Sequence, residues 1–161
     1  MNTYALIKTL HVLSSVLLVG TGFGSAFYMF FVNRSGNLQA QTVVARLVVR
    51  ADWWFTAPAV IVQPVSGLAL AHMAGWPLDS GWLLAAFVLF IFAGLCWVPV
   101  VWLQIRMAAM LKKASENEGE LSQKYWDYAR LWERLGYPAF IAMVVVFYLM
   151  VAKPALNLGG A

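Results

Sequence analysis

Four stretches of this sequence, at about 5–32, 53–75, 81–104 and 135–152, run almost without charge at lengths that match a lipid bilayer. A helix rises about 1.5 Å per residue, so crossing the hydrocarbon takes about 17–25 predominantly apolar residues. With no water to satisfy the backbone, only helices and closed barrels are stable there, and these runs lack the alternation of a barrel strand. The expectation is an all-α, integral membrane four-helix bundle that forms one domain over 1–161.

Charge sets the orientation. Of the eleven Lys and Arg residues, nine lie between the first and second spans (Arg34, Arg46, Arg50) or between the third and fourth (Arg106, Lys112, Lys113, Lys124, Arg130, Arg134). The positive-inside rule predicts two basic cytoplasmic loops, with the N and C termini outside. The clustering also accounts for the net charge of +4 without nucleic acid as a partner. The first span is too long for a cleaved signal peptide and no clear cleavage site follows it. Cys96, the single cysteine, lies in an apolar run and reads as a small core residue. No nucleophile triad, phosphate loop, zinc spacing or paired-carboxylate site is present.

Both loops carry helical patterns. Leu121, Tyr125, Tyr128, Trp132 and Leu135 recur at spacings of three and four, a stripe that feeds into the fourth span, with Asn117-Glu118-Gly119 marking the turn before it. Arg46 and Arg50 stand four apart on one face of a helix leading into the second span. They read either as topology and lipid-headgroup residues or as a clamp for ligand carboxylates.

The candidate site residues are the polar groups within or at the ends of the spans. Ionisable residues in a membrane normally face the bundle interior and mark a ligand or proton site. Lys8 and His11 lie one helical turn apart, Ser15 shares the His11 face, and Lys153 closes the last span on the same side of the membrane. His72, at the end of the second span, also falls on that side. The lysines have a simpler role available, snorkelling to the interface. Gln63, beside Pro64, either lines a cavity at a kink or bonds a neighbouring helix. His11 and His72 are the candidate metal ligands, with Met73 a weak addition. Gly20 and Gly24 make a small-xxx-small pair suited to close helix approach, within this chain or against a partner.

The residues Leu6-Ile7-Lys8-Thr9-Leu10-His11-Val12 resemble the opening helix of the HemJ-type protoporphyrinogen oxidases and their copper-resistance D-type relatives. Arg50 through Thr56-Ala57-Pro58 to Gly67-Leu68 resembles the second helix of that superfamily, Gly81-Trp82-Leu83 the start of its third, and Val151-Ala152-Lys153-Pro154 its end. Gly20-Thr21-Gly22-Phe23-Gly24 and Trp97-Val98-Pro99-Val100 with Gln104 are similar to a group of predicted bacterial integral membrane proteins within it. The resemblance implies a bacterial inner-membrane location, haem b with His11 as an axial ligand, and Lys8 and Lys153 as functional partners in the pocket; Arg50 is a further catalytic candidate beside them. Ser15, Arg46, Gln63 and His72 would help to hold the cofactor. The oxidases carry His-x-Lys where this chain has Leu84 and Ala86, a further His near Trp97, and an Asn-Glu pair where this chain has Gly136 and Tyr137. Oxidase activity therefore does not carry over with the scaffold.

Three function classes remain. One is a haem-b membrane protein, a redox enzyme or electron carrier with a porphyrin or quinone as its small-molecule partner. Another is copper handling through His11, His72 and Met73. The third is a structural or partner-binding subunit, homo-oligomeric or joined to another membrane protein and otherwise surrounded by lipid. Whether the chain is an enzyme is open; if so, it would be a membrane oxidoreductase.

Overall fold

The computed structural model describes residues 2–117 and 119–155, and every regular element among them is helical. Helix α1 covers Thr3–Asn33, α2 Leu38–Ala51, α3 Ala57–Met73, α4 Gly81–Glu116 and α5 Gln123–Ala152, with a π-helical turn, Asp52–Thr56, joining α2 to α3. Taking α2, the π turn and α3 as one continuous rod, four helices are long and apolar enough to cross a membrane. The four expected spans are all present, and each is longer than the roughly 20 residues that cross the hydrocarbon.

Local chemistry sets the boundaries. The Asn2 side chain accepts from the Tyr4 N–H at 3.1 Å, and that of Asn37 accepts from Ala40 at 3.0 Å, capping α1 and α2. Gly36 and Gly75 take φ of +70°, which lets the chain turn sharply after α1 and α3. The helix before Pro58 widens rather than breaks. Proline cannot donate to the carbonyl four residues back and crowds it, and an inserted residue relieves that crowding. The Ala57 N–H accordingly reaches Asp52, five residues back. Pro64, Pro99 and Pro138 lie inside helices that continue through them.

The rods run up and down, so the α1–α2 and α4–α5 connections share one end, the basic end, while the α3–α4 turn and the ends of α1 and α5 share the other. The best-packed core lies toward the basic end. There Met29, Leu103, Met107, Leu111 and Tyr125 are all at most 1% exposed, packed with Ala45, Val48, Ala129 and Trp132. Leu121, Tyr128 and Leu135 flank this core, as the stripe in the second loop predicts. With its 36 residues, α4 is about 54 Å long against a hydrocarbon core of about 30 Å, so its basic end projects beyond the lipid together with α2 and the start of α5. Of the predicted turn, Asn117 caps α4 and Gly119 bonds back to Ala114, while Glu118 lies outside the described residues.

Toward the other end the helices are joined by smaller cores, one of Leu18, Ala59, Ala93, Ala142 and Met143 and another of Ala86, Val146 and Leu149. Helix α1 packs on α3 and α2 but touches α5 sparsely. A Cβ added at Gly20 or Gly24 would meet nothing within 4 Å, so this glycine pair is not a contact within the bundle.

Candidate functional site

His11 is held between α1 and α3. Its Nδ1 lies 2.9 Å from Ser66 Oγ, which itself donates to the Val62 carbonyl at 2.6 Å. The ring therefore donates from Nδ1, leaving the Nε2 lone pair to accept from the Gln63 amide nitrogen at 3.3 Å. The Gln63 amide oxygen accepts from Ser14. Gly67 completes the seat, since a Cβ there would stand 3.0 Å from His11 Cε1. A cavity of about 60 Å³ adjoins the ring, bounded by Pro64, Leu83, Phe87 and Met150.

The other predicted site residues are placed apart from this seat in their contacts. The Ser15 hydroxyl bonds to the Val12 carbonyl at 2.7 Å, and it is Ser14, one position earlier, that is buried against α3. Lys8 is exposed, its Nζ 6.0 Å from the Tyr4 ring. Lys153 Nζ lies 5.0 Å from the Trp76 ring and 5.7 Å from the Trp82 ring, a cation–π contact that ties the end of α5 to the α3–α4 turn. His72, Arg46 and Arg50 are exposed.

A second site is larger, and the sequence reading missed it. Between α1 and α5, where those helices barely meet, an apolar cleft of about 350 Å³ runs from Leu18 to Phe31, roughly 20 Å at 1.5 Å per residue. Its floor is formed by Val60, Phe90, Ala93, Trp97 and Val100. Gly22, Gly94 and Gly136 line it, and an added Cβ at any of them would meet nothing within 4 Å, so their small size leaves the space open. Phe23 stacks on Phe140 across it, with ring centroids 5.0 Å apart.

At its basic end the cleft reaches a buried polar group. Asp52, only 4% exposed, accepts from Thr56 Oγ1 at 2.9 Å. The Gln104 amide is assigned with its nitrogen toward the other Asp52 oxygen, the orientation in which it donates there at 2.5 Å and its oxygen accepts from the Trp132 indole N–H at 3.3 Å. The π turn builds this group: it holds Asp52 and Thr56 at its two ends, both buried, while Trp53 and Trp54 point outward. Such turns recur at functional sites. Beside it, Arg34 binds Glu133 through two bonds of 2.9 and 3.2 Å, joining the end of α1 to α5.

The sequence matches the family described as Predicted integral membrane protein (DUF2269) over residues 5–154. The chain belongs to that family. Its match takes in the His11 seat, the cleft and all four spanning rods. No curated protein and no solved structure matches the chain.

Neither site, in the geometry described, fits the haem that the sequence resemblance implies. Both ring nitrogens of His11 are engaged, and the adjoining cavity of about 60 Å³ is small against the 300–1,000 Å³ of usual ligand pockets. The larger cleft has no histidine in its lining. For copper, no three His, Cys, Asp or Glu residues converge among the described residues.

Proposed function

We propose that this protein binds a lipid-soluble molecule in the cleft between α1 and α5, received sideways from the bilayer, with its polar head at Asp52 and its apolar body along the phenylalanines of α1. The observation that carries this reading is the cleft itself. Its volume of about 350 Å³ lies within the range of ligand pockets, and its apolar walls end on a small convergent polar group, the usual composition of a binding site. The location that goes with this reading is the bacterial inner membrane, as the sequence resemblance implies; the distribution of Lys and Arg supports placing the basic end in the cytoplasm.

Native mass spectrometry of the protein released from nanodiscs tests it. The wild type should retain an apolar adduct that Gly94→Leu, which fills the cleft without a backbone clash, loses while keeping its melting temperature. A wild type free of adduct, and indifferent to added apolar ligands, would overturn the reading. An absorption spectrum of the same preparation tests the haem alternative: a Soret band lost in His11→Ala would mean that Gln63 releases Nε2 and the bundle opens around His11.

A further inference from the structure

The charge around the polar end of the cleft narrows what can bind there, and the argument rests on the cleft reading above. Two acidic residues, Asp52 and Glu133, line the cleft, and no Lys, Arg or His does so among the described residues. Arg34 neutralises Glu133. Asp52 has no cation; its partners are the neutral Thr56 and Gln104. With the Gln104 amide in that orientation both of its oxygens accept, and they still have lone pairs to offer.

An anionic head placed here would be taken out of water into a region of low dielectric with no lining cation to pair it, beside a second carboxyl group. A hydroxyl would instead supply the O–H donor that the remaining lone pairs can take, without bringing a charge into the cleft. We infer that the cleft selects amphiphiles with a neutral hydroxyl head, such as long-chain isoprenoid alcohols or quinols, over those with a carboxylate or phosphate head, and that Asp52 accepts the O–H of that head. Phospholipid and fatty acid, abundant around the protein, are thereby disfavoured, leaving the site for a scarcer molecule.

Trp97 and Trp132 line the cleft and report on its contents, because bromine quenches indole fluorescence on contact. The probes are 11-bromoundecanol, 11-bromoundecanoic acid and 11-bromoundecyl phosphate, titrated against wild-type protein in phosphatidylcholine nanodiscs, with Trp97→Phe identifying the signal from the cleft. The alcohol should quench saturably, with an apparent Kd about tenfold or more below that of either anion. Asp52→Asn should narrow that ratio to about threefold or less, chiefly by admitting the anions. The head series on the wild type stands as a test even if Asp52→Asn fails to fold. Equal binding of all three probes would overturn the head selection while leaving the cleft reading intact. Absence of quenching by any probe would overturn both. Competition by farnesol and by a short-chain benzoquinol then separates the two sources of hydroxyl, the tighter competitor identifying the class.

Discussion

The His11 imidazole lies against the bare Cα of Gly67, so close that a methyl group on that carbon would stand 3.0 Å from Cε1. The ring cannot easily yield, because Ser66 holds one nitrogen and Gln63 the other. Gly67→Ala should therefore destabilise the protein by about 1–3 kcal/mol, the usual effect of overpacking. In His11→Ala the same change should be nearly neutral, so a double-mutant cycle followed by thermal unfolding in detergent should show strong coupling. Additive effects would mean that the ring does not occupy this seat.

Replacing Gln63 by Leu removes the donor to His11 Nε2 and the acceptor for Ser14. Ser14 keeps its bond to the His11 carbonyl at 2.9 Å, so the group left stranded is Nε2; stranding costs about 1–3 kcal/mol for a buried group, and His11 is only partly buried, which favours the lower end. Gln63→Glu keeps an acceptor for Ser14 and should fall between Leu and the wild type. The order of melting temperatures checks this.

The basic-end core should dominate stability. Leu111→Ala empties a fully buried position and should cost about 2–5 kcal/mol, whereas Val16→Ala, at a site 59% exposed toward lipid, should change little. Unfolding in a mixed detergent series would rank the two, and equal effects would contradict the packing described.

At the far end, Lys153 takes a left-handed backbone with φ of +43° and stands over two tryptophan rings. Lys153→Gln should lose about 0.5–1 kcal/mol with the cation–π contact, and Lys153→Arg should retain it. Lys153→Gly loses the contact but relieves the backbone, so it should unfold at a temperature above that of Lys153→Gln. Melting curves of the three variants decide the order.

The spans were legible because each is a continuous run whose length the bilayer dictates, and the stripe from Leu121 to Leu135 was legible because its period is helical. The sites were less so. Ser15 and Ser14 differ by about 100° around α1, and which of them faces inward depends on where α3 stands, something the spacing within α1 does not contain. Asp52 reads as a boundary residue until the π turn is seen to direct it inward. The cleft is a gap between the first and last helices, bounded by residues more than a hundred positions apart, such as Phe23 and Phe140, and no local pattern marks it. The open glycines Gly22, Gly94 and Gly136 were the available signal, but in a membrane helix small residues ordinarily indicate close packing.

The sparse meeting of α1 with α5 has a mechanical consequence. At 31 residues α1 is about 46 Å long, longer than the hydrocarbon it crosses, and an over-long helix adapts to its bilayer by tilting. It is fastened along α3 by the His11 seat, while its side toward α5 is held by an aromatic stack and one ion pair. A change in the tilt of α1 would therefore be taken up on that side, at the mouth of the cleft, rather than along α3.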